Sequence, residues 1–416
     1  MIDQVQAALD AADDWLCDHL VHAEPLRGDS PGEYLFRCKV FNELAFYVQW
    51  RSRLACPEKS PVHAIRRHIL AHARGDYLEL AARDPRRVLI FCSAVGYALG
   101  HGALSNGDAR LARWILSPGF AWNTEWVPNR QLDLLQSRRL GGLGELMDVA
   151  SVVAASSVAW PPSPFLADRE AYYAFTHSVY YSWLLGQLPA ECGGHSALAI
   201  EGGLCRALHE GDIDLAYELF AAAALHGLGP GPGQRNLLRR TLPSLMEEGA
   251  VHAPANTKDE AMAAFVASRA GERAWAERFH VTLVAALGLA CALYRGQAHD
   301  MEEAHNDAAT VDVVGAMFSS FHGRRWKAGL HAAERMLRDG VPGWSGNVFR
   351  EGLGVFLTCA MDGEGVPHGL VEERMAFRRL SPGGGFEQSI LEPLQRHYRV
   401  VADLLATPCA GKLAAG

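Results

Sequence analysis

Apolar residues recur every three to four positions from one end of this chain to the other, and that period admits one kind of backbone. Ile2, Val5, Leu9, Ala12, Leu16 and Leu20 set the pattern at the start, placing a single apolar stripe on one face of a helix. The alternation that marks a half-buried strand is nearly absent, so the fold class is all-α. Start signals agree. Asp84-Pro85 places an N-cap before a first-turn proline ahead of Val88 to Leu99, and Thr257-Lys258-Asp259-Glu260 reads as a capping box ahead of Met262 to Val266. Breaker clusters at Gly227 to Gly233, Gly340-Val341-Pro342-Gly343 and Ser381-Pro382-Gly383-Gly384-Gly385 end helical segments.

Counting periodic segments between breakers predicts roughly thirteen to fifteen helices joined by short connections, which wire antiparallel neighbours. The expected architecture is irregular stacked helical hairpins, solenoid or toroid-like. An internal echo fits it: Gly107-Asp108-Ala109-Arg110-Leu111-Ala112 matches Gly211-Asp212-Ile213-Asp214-Leu215-Ala216, with Gly ending one helix and Asp capping the next. Gly75-Asp76 is a looser copy. The intervals are too irregular for a tetratricopeptide or ankyrin array. Three prolines in Trp160-Pro161-Pro162-Ser163-Pro164 forbid helix, dividing the chain into an N-terminal region over 1–160 and a C-terminal region over 165–405. Residues 406–416 lose periodicity and read as a tail.

A length of 416 residues with 49% hydrophobic and 21% charged residues suffices for a large core. The net charge of −8 comes with scattered Lys and Arg and no basic stripe, which excludes nucleic acid as the expected partner. Met1-Ile2-Asp3-Gln4 lacks a positive n-region before an apolar run, and no uninterrupted apolar run of about 18 residues is seen, so secretion and membrane insertion are not expected. The nine cysteines show no Cys-x-x-Cys pair, which points to a reducing cytoplasm and to cysteine as a small hydrophobe, as at Cys92 and Cys291. The expected partner is a small molecule, with a homodimer left open.

Formal motifs fail on context. Gly28-Asp29-Ser30-Pro31-Gly32 fits a nucleophile elbow, but no strand precedes it and Pro31 has no N–H for an oxyanion hole. The Gly227 to Gly233 stretch follows a helix, and its prolines remove donors that a phosphate cradle needs. No cofactor is expected. Histidine stands out, at 18 of 416 residues. Glu277-Arg278-Phe279-His280 and Glu302-Glu303-Ala304-His305 space a carboxylate and an imidazole as di-iron bundles do, yet about one such spacing is expected by chance, two is weak evidence, and no metal is expected. His68 and His72 stand among arginines and read as a solvated basic face.

Two histidines lie inside apolar helices, where a titratable ring has to be bonded or used. His177 shares a face with Tyr173 and Tyr181, and with Tyr180 one turn on. His280 opens the apolar run Val281-Thr282-Leu283-Val284, one turn from Glu277. Glu201 and Glu218 fall on intervening helices. The expected catalytic set is His177, His280, Tyr180, Glu201 and Glu277, with a tyrosine orienting His177 and Glu201 or Glu277 setting the protonation of His280. The segment from Trp122 to Asp133 is rich in polar groups beside indoles. It adds Trp126, Arg130 and Asp133 to Tyr173 and Tyr181 as expected substrate contacts. Its alternative reading is a helix start with Pro128 in the first turn.

Trp15-Leu16-x-x-His19-Leu20, Lys39-Val40-Phe41-x-Glu43-Leu44-Ala45, Val127-Pro128-x-Arg130-x-Leu132-Asp133, Phe175-Thr176-His177 with Tyr180 and Tyr181, and Phe279-His280-Val281-Thr282 together carry a resemblance. The chain resembles a family of uncharacterised bacterial proteins, found mainly in actinobacteria and known as a domain of unknown function. Relatives follow the Thr-His segment with Thr-Asp-Phe-Gly, where this chain has Ser182-Trp183-Leu184-Leu185-Gly186. The resemblance implies a companion of specialised-metabolite pathways. The expected function is a cofactor-independent acid–base tailoring enzyme acting on a small aromatic or amine-bearing metabolite, for example in a Pictet–Spengler cyclisation. A helical scaffold binding a partner protein or peptide, and a metal-dependent oxygenase, are the alternatives.

Overall fold

The computed structural model describes residues 2–26, 30–54, 59–190, 192–252, 260–297 and 307–325, with isolated positions between 328 and 336. Met1–His322 form one compact unit and Gly323–Gly416 a second. The elements and the site described below all lie in the first, within which the Trp160 to Pro164 stretch also falls. Gly340 to Gly343, Ser381 to Gly385, Thr257 to Asp259, Glu302 to His305 and the tail lie outside the described residues.

The fold is all-α, with sixteen α-helices and three 3-10 helices among the described residues and no strand there. The chain opens with α1 (Ile2–Asp18), α2 (Pro31–Arg53), α3 (Ser60–His72), α4 (Asp76–Ala81), α5 (Cys92–Gly100) and α6 (Asn106–Ile115). Then come α7 (Pro118–Ala121), α8 (Pro128–Leu140), α9 (Val149–Ala154), α10 (Arg169–Leu184) and α11 (Gly194–Glu210). The last five are α12 (Ile213–Leu225), α13 (Pro232–Glu248), α14 (Glu260–Ser268), α15 (Arg273–Tyr294) and α16 (Asp307–His322). Short helices such as α4, α7 and α9 raise the count above the periodicity estimate, because a helix of one or two turns carries too few apolar positions to show a period.

Caps explain most boundaries. Ser30, the serine of the rejected elbow motif, accepts from the Glu33 N–H at 3.3 Å and starts α2. Asp84 caps as expected, but what it starts is a 3-10 helix over Pro85–Ile90, with α5 beginning separately at Cys92. Gly211 ends α11 at φ 76°, and the Asp212 carboxylate accepts from Leu215 N–H to start α12. The echo at Gly107-Asp108 works differently: Ser105 is the cap there, and Gly107 and Asp108 lie inside α6. One copy is hairpin chemistry and the other a sequence coincidence.

The core is built on α12 and α15, which pack against each other. From Asp214 to Leu225 every residue of α12 is buried, and α15 is buried from Val281 to Ala292. Helices apolar all round belong in an interior. The segment Ala270–Tyr294 is long and apolar enough to cross a membrane, yet 78% of its apolar window is covered by other helices. Around this pair stand α1, α2, α10 and α11. A buried triad ties α1 to α2: Arg51 donates to both Asp13 oxygens at 2.8 and 2.6 Å, and the Tyr47 hydroxyl donates to the same carboxylate.

Helix α8, which carries Arg130 and Asp133, is seated by two glycines. A Cβ at Gly96 of α5 would lie 2.3 Å from the Ser137 carbonyl oxygen, and one at Gly100 would lie 2.1 Å from that of Leu140. Backbone cannot yield as a side chain can. Gly96→Ala is therefore expected to lower stability by about 1–3 kcal/mol, even though alanine favours helix over glycine by about 1 kcal/mol. Urea denaturation followed by circular dichroism reads this, and an unchanged or raised midpoint would refute the close-approach account.

Candidate functional site

A cavity of about 570 Å³ opens between α2, the Pro85–Ile90 turn, α8, α10, α12, α14 and α15. That volume suits a small molecule. Helix α2 presents Phe36, Lys39 and Glu43, spaced to share one face. The Asn42 amide braces the neighbouring turn, donating to the Leu89 carbonyl at 3.1 Å while its oxygen accepts from Ala94 N–H at 3.1 Å. Arg86 and Arg87 enter from that turn. Helix α10 begins at the Asp168 cap and lines the cavity with Tyr173, His177 and Tyr181, steps of four along one stripe.

Both expected histidines face this cavity. They are held in opposite charge states. His177 Nδ1 lies 2.8 Å from the Tyr173 backbone carbonyl. A carbonyl only accepts, so Nδ1 carries the proton and Nε2 keeps a free lone pair. Burial, then the Arg130 charge, pushes its pKa down to about 3, and the charge of His280 adds to this. The ring is neutral at pH 7.

His280 has carboxylates at both nitrogens: Glu43 Oε2 lies 3.2 Å from Nδ1 and Asp214 Oδ1 lies 3.4 Å from Nε2. Burial alone would lower its pKa, but Asp214 and Glu43 outweigh it and bring the value up to about 9. The ring is an imidazolium at pH 7. His177 and His280 keep 25% and 36% of their side-chain surface accessible, so desolvated rings still meet whatever enters.

The carboxylates are themselves held. Asp214 accepts from the Tyr173 hydroxyl and pairs with Arg169 at 3.1 Å. Glu218, one turn along α12, lies 3.9 Å from His177 Nδ1, and burial followed by repulsion from Asp214 pushes its pKa up to about 7. Asp133 is pushed up to about 6 by burial, against the Arg130 charge and hydrogen bonds from Tyr181 and Cys92. The Cys92 thiol, expected to be a plain hydrophobe, lies 3.4 Å from that carboxylate.

Of the expected site residues, the fold brings together His177, His280, Tyr173, Tyr181, Arg130 and Asp133. Four others serve elsewhere. The Tyr180 hydroxyl is buried and donates to the Glu218 backbone carbonyl at 2.6 Å, so it braces α10 on α12. Glu201 accepts from Gly233 N–H at 2.8 Å and caps the start of α13, far from setting any histidine. Glu277 accepts from Arg273 at 2.7 Å along an exposed face of α15. Trp126 donates its indole N–H to the Ala121 carbonyl at 2.7 Å and pins the connection before α8. That connection ends in the Pro128 helix start, and the helix rather than the connection lines the cavity. His177 is oriented by the backbone of Tyr173 and not by a tyrosine hydroxyl.

Residues missed from the sequence are Glu43, Asp214 and Arg169, with Lys39, Arg86, Arg87 and Glu170 around them. Glu43 stood inside the Lys39 to Ala45 motif, and Asp214 inside the Gly211 to Ala216 echo. Elsewhere, His68 and His72 are half-buried with rings 4.4 Å apart, and burial, then the His72 charge, lowers the His68 pKa to about 4, so a solvated basic face is not what they form. No group of three or more His, Cys, Asp or Glu among the described residues is arranged to hold a metal ion.

Fold and site define an all-helical protein whose central helices wall a cavity lined by two histidines, carboxylates and basic side chains. The chain belongs to the family described as Domain of unknown function (DUF6895), whose profile matches residues 9–292 and so spans every residue lining the cavity. No curated protein and no solved structure matches it significantly.

The two rings should titrate far apart when followed by 15N NMR: His280 near pH 9 and His177 near pH 3. Stability follows the same signs. Because the folded pKa of His280 is raised, its contribution is full below about pH 6.5 and is lost as pH rises through 9. His177 is depressed, so its contribution is present above about pH 6.5 and is lost as pH falls toward 3. Two rings titrating together near pH 6.5 would show that the carboxylates and Arg130 do not act on them.

Proposed function

We propose that this protein is a cofactor-independent acid–base enzyme of specialised metabolism, working in the cytoplasm on a small aromatic or amine-bearing metabolite. The observation that carries the reading is one cavity facing two histidines, His280 set between the Glu43 and Asp214 carboxylates and His177 bonded through Nδ1 to a backbone carbonyl, which leaves its Nε2 to accept. A neutral imidazole with a free Nε2 accepts a proton, and an imidazolium donates one, so the pair supplies both halves of a proton-transfer cycle. Phe36, Tyr173, Tyr181 and Phe279 offer ring surface to an aromatic substrate. Glu170 at the cavity has no acid–base partner among the described residues and suits an ammonium group.

A condensation of Pictet–Spengler type needs only these parts. An amine adds to an aldehyde and water leaves, with His280 donating the proton that turns hydroxide into water. The electron-rich ring then attacks the iminium carbon, and His177 takes the proton from the ring carbon as aromaticity returns. No electron is gained or lost overall.

Deleting the gene and comparing metabolites identifies the compound that accumulates, which is then offered to the purified protein. His177→Ala and His280→Ala are each expected to cut turnover by about 10²–10⁴-fold while leaving the helical circular-dichroism signal intact. Turnover that survives both substitutions would sink the acid–base reading. A deletion that changes no metabolite, together with co-purification of a stoichiometric protein partner, would favour a binding scaffold.

A further inference from the structure

We propose that the cavity takes a small aromatic carboxylic acid whose carboxylate docks on the Arg130 guanidinium, a substrate assignment that rests on the acid–base reading above. Every other cation lining the cavity makes an ion pair within 4 Å of a carboxylate. Lys39 pairs with Glu43, Arg86 and Arg87 share Asp84, Arg169 holds Asp212 and Asp214, and His280 lies between Glu43 and Asp214. Arg130 lines the same cavity from the first turn of α8, yet its side chain makes no hydrogen bond and no ion pair among the described residues. Asp133, one turn further on, feels the Arg130 charge across space but forms no hydrogen bond or ion pair with it, and its oxygens are engaged by the Tyr181 hydroxyl and the Cys92 thiol.

An unpaired guanidinium beside a cavity is a site for a planar anion, since its fork of N–H donors matches the two oxygens of a carboxylate. The aromatic half follows from the four rings that share the lining with Arg130.

Docking has a chemical consequence. The Arg130 charge is one of the groups that keep His177 unprotonated. A carboxylate seated on that guanidinium offsets the charge and makes the imidazole a better base at the moment a substrate is present.

The test is calorimetric binding of indole-3-propionate, its uncharged amide and tryptamine to the full chain. The acid is expected to bind at least about tenfold more tightly than the amide, the margin of one charged hydrogen-bonding pair. Arg130→Gln should erase that margin, Arg130→Lys should restore part of it, and circular dichroism should show both variants folded. Equal binding of acid and amide, a preference for tryptamine, no binding of the acid at millimolar concentration, or a margin that survives in Arg130→Gln would each overturn the proposal. The two readings fail separately. Loss of the acid preference while turnover still requires His177 and His280 removes only the carboxylate site, whereas an intact preference with turnover indifferent to both histidines removes only the acid–base chemistry.

Discussion

An imidazolium set among the most deeply buried helices is the feature on which the arrangement of this protein depends. Helix α15 is apolar almost throughout, and His280 is the titratable side chain it turns toward the cavity. Burial by itself would strip the proton from that ring. Two carboxylates prevent this, Glu43 from α2 and Asp214 from α12, each bringing its own helix against α15. Asp214 in turn accepts from Tyr173 and Arg169, which fastens α10 to α12. The charge network that keeps one ring protonated is thus also what aligns four helices around the cavity.

The second histidine shows how much depends on surroundings rather than on residue type. His177 also lies on a largely buried helix, but its Nδ1 is bonded to a carbonyl of its own helix, and its carboxylate neighbour Glu218 stands at 3.9 Å with a raised pKa. The nearby charges that act on it most are Arg130 and His280, both positive. Two copies of one side chain in one cavity therefore sit on opposite sides of neutrality. Groups pushed apart in this way are how a single site holds an acid and a base at one pH.

Features remote from the cavity set its precision. The α5–α8 crossing runs through Gly96 and Gly100, so the backbone of α8 comes near enough for Arg130 and Asp133 to reach the site. Tyr180 does a similar service for α10 through the Glu218 carbonyl, and Glu201 finishes the start of α13. These side chains have the polarity of catalytic residues and spend it on backbone groups that would otherwise be buried without partners.

Much of this was legible along the chain. The period of the apolar residues specified helices, and the spacing of Tyr173, His177 and Tyr181 put them on one stripe because side chains four apart share a helix face. Arg130 and Asp133, three apart, followed from the same geometry. The errors share a cause. Glu277 was the carboxylate nearest His280 in sequence, yet it turned to Arg273, while the ring took Glu43 from 237 positions away. Local spacing by itself determined the longer helices, some of their caps and the faces they present. Only the tertiary structure decided which carboxylate meets which imidazole, and so which histidine is charged, because desolvation and Coulomb forces act through space between helices whose pairing no local pattern encodes.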